Sequence, residues 1–247
     1  MNDRYCRQVI IPQIGAEGQE KLSRSGVFVI GAGGLGSSAL FYLASAGVGR
    51  IGFADSDSVC LSNLNRQILH NIRDIGRYKT DSGREKLVNL NDEIEIISFN
   101  ERITDLNIKN IINGYDIVLG AVDSFETRFI INRACISLNI PYIDGGINGF
   151  SGCVMFSSPP QTPCFSCVFP LSAKKHPART SKEKEATGAL GATAGVIGTF
   201  QANIALLRLL GRPNPAANKL LIYDGLQMSV DHVDIKRNDK CPACGHY

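Results

Sequence analysis

The chain has 247 residues, 44% of them hydrophobic and 20% charged, the balance of a folded globular protein rather than a disordered one. A net charge of +3 is too small to mark a nucleic-acid or membrane surface. The opening Met1-Asn2-Asp3-Arg4-Tyr5 has no apolar stretch of a secretory signal, so a cytoplasmic protein with neither a nucleic-acid nor a membrane partner is expected.

Val27-Phe28-Val29-Ile30 is a continuous apolar run ahead of a glycine turn, which predicts a strand buried on both faces. Ser37 to Ala46 reads as a helix stopped by Gly47, and Ile51 to Ala54 as a strand closing on Asp55. Thr80 to Leu90 follows as a helix and Ile94 to Phe99 as a third strand. Tyr115 to Leu119 is a fourth strand leading to Asp123, Phe129 to Leu138 a helix, and Pro141-Tyr142-Ile143 opens a fifth strand. This alternation predicts an α/β fold, a Rossmann-like, mostly parallel sheet with helices on both faces.

The second half changes character. Gly152 to Phe156 reads as a strand, followed by a stretch rich in Pro and Cys through Pro170. Residues 171–187, with Lys174, Lys175, Arg179, Lys182 and Lys184, read as a flexible, solvated crossover. Gly188 to Leu207 carries no charge and is long enough to span a bilayer. Its Thr193, Thr199, Gln201 and Asn203, together with its glycines, favour a buried helix in close contact with its neighbours. Lys219 to Tyr223 and Ser229 to Ile235 read as antiparallel C-terminal strands.

Gly31-Ala32-Gly33-Gly34-Leu35-Gly36 satisfies GxGxxG between a strand and a helix. There the glycines permit a tight turn and bring backbone N–H groups close to phosphate oxygens, and the helix N-terminus adds partial positive charge. Asp55, at the end of the next strand, is placed to accept from a ribose hydroxyl. Periodicity alone would then suggest a nicotinamide dehydrogenase. Ser62-Asn63-Leu64-Asn65-Arg66-Gln67, following Asp55 and Asp57, and Lys79 argue otherwise. Hydride transfer needs no clamp of cations and amides on a triphosphate; nucleotidyl transfer does, because charge develops on phosphoryl oxygens. Arg66 or Lys79 taken alone would read as solvated surface.

Of eight cysteines, four form two CxxC pairs, Cys164/Cys167 and Cys241/Cys244. Two pairs of equal spacing point to a closed, structural Cys₄ zinc site more than to a redox CxxC. Cys6, Cys60, Cys135 and Cys153 remain, and Cys135 falls in a helix pattern that would bury it. His70, His176, His232 and His246 read as surface or packing residues without a catalytic role.

Arg4-Tyr5-Cys6-Arg7-Gln8, Gly31 to Gly36, Ala46-Gly47-Val48-Gly49, Ser62 to Gln67, Asp74-Ile75-Gly76-Arg77 with Lys79, Asp123 and the paired CxxC together resemble the ThiF/MoeB/HesA adenylyltransferases, bacterial relatives of ubiquitin-activating enzymes. The resemblance runs from residue 4 to residue 244 and implies one adenylation domain over residues 1–247. It implies an ATP site built by Gly31, Gly33, Gly34, Gly36, Asp55, Asp57, Ser62, Asn63, Arg66, Gln67, Lys79, Asp123 and Ser124. Asn63, Arg66 and Lys79 would contact the triphosphate, and Asp123 would carry Mg²⁺. Arg7 would reach into a partner subunit's site, which implies a homodimer.

The implied reaction is attack on ATP by the C-terminal carboxylate of a small ubiquitin-like sulfur-carrier protein ending in Gly-Gly, in thiamine or molybdopterin biosynthesis. A carboxylate is already ionised at pH 7, so no general base is needed. Two departures from the family pattern matter. Alignment on Gly188-Ala189-Leu190-Gly191 places Lys184 where some members carry a loop cysteine, so the chain is expected to stop at the acyl-adenylate. Ser124 stands where the family usually has Asn. Two other readings are an enzyme adenylating a peptide or other carboxylate for amide formation, and a nucleotide- or zinc-binding scaffold without turnover.

Overall fold

The computed structural model describes residues 3–170 and 188–246. The crossover, with His176 and Lys184, lies outside the described residues. Eight strands form one sheet: β1 (Gly26–Ile30), β2 (Arg50–Ala54), β3 (Glu95–Phe99), β4 (Ile117–Gly120), β5 (Tyr142–Asn148), β6 (Ser151–Ser157), β7 (Lys219–Asp224) and β8 (Ser229–Asp234). Their order is β3-β2-β1-β4-β5-β6-β7-β8, parallel through β5 and antiparallel from β5 to β8. Chain order reverses between β1 and β4, so the loops after these strands diverge and leave a crevice at their C-terminal ends.

Among the described residues the α-helices are α1 (Cys6–Val9), α2 (Gly15–Arg24), α3 (Gly34–Ser45), α4 (Lys79–Leu90), α5 (Ile108–Ile112), α6 (Phe125–Leu138), α7 (Phe165–Val168) and α8 (Gly191–Leu209). Two apolar layers cover the sheet. One joins Val27, Val29, Leu119 and Ile143 to Leu40 and Leu43 of α3 and Ile197 and Ala205 of α8. The other joins Phe28, Ile30 and Val118 to Ile108, Ile112, Phe129 and Phe165. β1 is buried throughout because both of its faces meet helices, which explains its unbroken apolar run.

The uncharged segment after Gly188 forms α8, against α3 and the sheet. A Cβ on Gly198 would come within 2.1 Å of the Leu35 carbonyl oxygen, so the glycine is what lets the two helices touch. Gln201 turns inward, and its Nε2 donates to the carbonyls of Gly120 at 2.8 Å and Ile143 at 3.2 Å. One face of the helix, including Ala194, Ile197, Gly198, Gln201 and Ala205, is buried against protein, and among the described residues no helix is long and apolar enough to cross a membrane.

Most boundaries agree with the sequence reading to within a few residues. α6 starts at Phe125, a full turn earlier than expected, because the Ser124 hydroxyl accepts from the Thr127 N–H and caps it. α2 and α5 were not expected. α2 is glycine-interrupted and buries little beyond Leu22, while α5 is a single short turn.

Candidate active site

The GxGxxG segment turns between β1 and α3. Gly31 adopts φ +100°, and a Cβ there would lie 2.5 Å from the Ala121 carbonyl oxygen, so a side chain is excluded both by conformation and by space. A Cβ on Gly36 would fall on the Gly31 carbonyl oxygen, at 1.9 Å. Gly36→Ala is therefore expected to cost about 1–3 kcal/mol of stability, as overpacking does, and to remove nucleotide binding. Urea unfolding and an ATP titration check the two effects.

Three elements converge on this turn. From β2, Asp55 Oδ2 accepts the Ala32 N–H at 2.8 Å, while Oδ1 accepts the Asp57 N–H at 2.9 Å. From α4, Lys79 is buried, with Nζ 2.7 Å from Asp57 Oδ2 and 3.7 Å from Asp55 Oδ1. It is a fixed cation of the crevice, not the solvated residue it resembles in isolation.

The third element is the polar segment 62–67, folded around a short 3-10 turn at Leu61–Asn63. Asn63 Oδ1 accepts the Cys60 N–H at 3.3 Å and closes that turn. Arg66 lies beside the loop, since a Cβ on Gly34 would meet its Cγ at 3.6 Å. Its Nη1 donates to the Ser62 carbonyl and to Asn65 Oδ1, both at 3.0 Å. Gln67 is buried beside Gly33, and its Oε1 has no hydrogen-bond partner. An orphaned buried oxygen next to a glycine cradle is a polar surface awaiting a ligand or water. The glycine turn, the helix N-terminus and Arg66 are features that suit an anion, while Lys79 is shared with Asp55 and Asp57.

Asp123 lies exposed just beyond the C-terminal end of β4, two positions after Ala121, which touches Gly31. Behind it, Arg128 Nε and Nη2 donate to the Val122 carbonyl at 3.2 and 2.9 Å. Its Nη1 pairs with the buried Asp144 at 3.0 Å, and Asp144 accepts from the Tyr142 hydroxyl at 2.6 Å. This buried network fixes the backbone immediately before Asp123. Ser124, which departs from the family pattern, supplies the helix cap that an Asn would also supply.

The structure thus gathers the glycines, Asp55, Asp57, Arg66, Gln67 and Lys79 around one turn and brings Asp123 to the same end of the sheet. It does not bring Arg7 there. Arg7 is exposed on α1 and makes no hydrogen bond or ion pair among the described residues. His70, read as a surface or packing residue, is buried with both ring nitrogens engaged.

Away from the crevice, the Cys164, Cys167, Cys241 and Cys244 Sγ atoms lie within 4.8 Å of one another. Three of the separations are 3.7, 3.6 and 3.5 Å. A tetrahedron of Zn–S bonds of about 2.3 Å has edges of about 3.8 Å, so the cluster has the dimensions of a four-thiolate metal site. Burial and the neighbouring thiols push Cys164 well up and Cys244 up to about 11, and a bound cation would favour the thiolate form of both. Of the other cysteines, Cys6 and Cys60 are exposed, Cys153 is half-buried, and Cys135 is buried with its thiol pushed up by desolvation.

The chain is 40% identical over 98% of its length to the sulfur carrier protein adenylyltransferase of Thermus thermophilus, covering 90% of that protein. It is 39% identical over 99% of its length to the sulfur carrier protein ThiS adenylyltransferase of Escherichia coli, covering 97%. Among solved structures, E. coli MccB with ATP superposes with a TM-score of 0.85 at 23% identity, over 99% of this chain and 75% of that one, a likeness of fold. The ThiF family profile matches residues 5–243, and with this match and these relatives the chain belongs to the ThiF family.

Proposed function

We propose that the chain is a nucleotidyltransferase that adenylates the C-terminal carboxylate of a small ubiquitin-like sulfur-carrier protein ending in Gly-Gly. The observation that carries this reading is the buried Lys79, paired with Asp55 and the exposed Asp57, at the glycine turn that Asp55 holds beside Arg66. A nucleotide site that must hold a triphosphate and stabilise a departing pyrophosphate needs such fixed charges. The two relatives named above, both called sulfur carrier protein adenylyltransferases, support the choice of substrate.

In this reading, the backbone N–H groups of Gly33 to Gly36 hold phosphate oxygens and Asp55 accepts from the ribose. Asn63, Arg66 and Lys79 contact the triphosphate, the two cations offsetting its charge, with Asp57, Ser62, Gln67 and Ser124 lining the site. A carboxylate oxygen of the carrier forms a bond to the α-phosphorus while the bond from that phosphorus to the bridging oxygen of the β-phosphate breaks. Pyrophosphate leaves with the electron pair. The carboxylate enters ionised, so positioning and charge neutralisation supply the acceleration without a general base. Mg²⁺, held by Asp123, would neutralise charge on the triphosphate. Zinc would occupy the four-cysteine cluster as a structural ion, with no open coordination position. Arg7 would complete the site of a second copy of the chain in a homodimer.

Carboxylate-dependent ATP–pyrophosphate exchange tests the reading. Exchange that requires a protein ending in Gly-Gly supports it. Exchange with another carboxylate alone would favour an amide-forming enzyme, and none with either would reduce the chain to a binding scaffold.

A further inference from the structure

We propose that His70 is a positioning residue of the nucleotide site: it pins the Ala32 peptide of the phosphate turn and locks that turn to the 62–67 segment and to α4. The proposal rests on the nucleotide reading above for its consequence, while the pinning itself stands on geometry.

His70 is 6% exposed and both ring nitrogens are engaged. Nε2 lies 3.1 Å from the Ala32 carbonyl oxygen and Nδ1 lies 2.8 Å from Ser82 Oγ on α4. A carbonyl only accepts, so Nε2 carries the proton and Nδ1 accepts from the serine hydroxyl. The Ser82 oxygen in turn accepts from Lys86 Nζ at 2.9 Å, and Lys86 is anchored on the buried Asp74 at 2.5 Å. Asp74 also accepts from Arg77 Nη1 at 3.0 Å and from the Asn71 N–H at 2.8 Å. Desolvation, with the nearby Lys86 and Lys79, lowers the pKa of the imidazole against the opposing pull of the Ala32 carbonyl and Asp74, and so favours the neutral form in which Nδ1 accepts.

Ala32 stands between Gly31 and Gly33, and it is held from outside at both polar groups. Its N–H goes to Asp55 and its C=O to His70. Without these two side chains, a peptide between Gly31 and Gly33 has little to fix its direction. The His70 N–H also donates to the Gln67 carbonyl at 3.0 Å, so the ring's position is tied to the segment that carries Arg66. One side chain therefore sets the aim of the turn's amides relative to both cations. Preorganised donors of this kind bind developing charge without rearranging first.

The test compares His70→Asn with His70→Gln. The glutamine amide nitrogen reaches the place of Nε2 and can donate to Ala32; the asparagine amide reaches only Ser82. Amide hydrogen exchange of residues 31–36 in the free protein reads the pin, and an ATP titration reads its consequence. His70→Asn is expected to speed exchange in the turn and raise the Kd for ATP about tenfold, while His70→Gln stays within about threefold of the wild type in both. Ser82→Ala, which keeps the ring but removes its orienting partner, should move both readouts the same way by about threefold. If Asn and Gln behave alike, or if they lower only the Tm and leave exchange in the turn unchanged, His70 is merely a core residue and the proposal falls. Should wild-type protein bind no ATP while exchange still separates the two variants, the pin stands and the nucleotide reading fails.

Discussion

Replacing Asp123 with alanine is expected to reduce carboxylate-dependent ATP–pyrophosphate exchange by about 10²-fold or more, the loss seen when one fixed electrostatic group is removed from a transition-state site. The side chain is exposed, so the fold does not depend on it. Its backbone is nonetheless held rigidly, by Arg128 on the Val122 carbonyl on one side and by the Ser124 cap on the other. A rigid main chain presenting an exposed carboxylate at the C-terminal ends of β4 and β1 is what a ligand-facing acid requires. The thermal midpoint and the zinc content of Asp123→Ala should match the wild type, which separates loss of chemistry from loss of structure. Asp123→Asn keeps the shape and loses the charge, so it should fail nearly as badly. Exchange at the wild-type rate in either variant would remove Asp123 from the site.

Much of the nucleotide half was readable in the sequence because its signals are local. The apolar run of β1, the glycines that follow and the acid ending β2 lie within a single βαβ unit, where spacing alone fixes their relation. Features set by distant contacts were harder to read. Lys79 reads as surface until α4 is laid against β2 and two aspartates enclose it. His70 carries no motif of its own, because its partners stand 38 residues before it and 12 after it. The α2 helix is weak in propensity, and a Cβ on its Gly18 would meet Leu210 at 2.9 Å, so it is shaped by a contact with the end of α8 that no local pattern records.

The absence of a cysteine between Cys167 and Cys241 bears on the chemistry as much as the charged residues do. With no thiol in that span, the acyl-adenylate is the last species the chain would be expected to make, and a separate sulfur donor or amine would resolve it. The exposed Cys6 and Cys60 are the accessible thiols outside the cluster, and neither has an ion-pair partner among the described residues. An adduct between this chain and its carrier, sensitive to dithiothreitol and lost with Cys60→Ser or Cys6→Ser, would contradict that expectation.

Removing the metal from the four-cysteine cluster should destabilise the chain without abolishing its chemistry at low temperature. Cys164 and Cys241 are 77 residues apart in sequence, and closing a loop of that length costs about 4 kcal/mol of chain entropy. Besides the cluster, the tail is held by Ile235 against one apolar layer of the sheet and by Arg237 Nη2 on the Cys244 carbonyl at 2.8 Å. Among the described residues, Ile136 and Ala243 are the apolar residues clustered with the four thiols, and β8 is an edge strand paired with β7. Zinc bound by four thiolates can offset this cost, since structural sites bind with about 10–16 kcal/mol at pH 7. A loss of about 3–4 kcal/mol lowers the Tm of a chain this size by about 10 °C. Cys244→Ser, or treatment with a strong chelator, should therefore release one equivalent of zinc and lower the Tm by about that amount. Exchange measured well below the new midpoint should persist, because the glycine turn, Arg66, Lys79 and Asp123 are all carried by the parallel half of the sheet. Release is also expected to grow as pH falls, since protons compete for the thiolates. A protein purified with zinc present yet holding none, or a Cys244→Ser variant with an unchanged Tm, would show that the cluster is four crowded thiols and not a metal site.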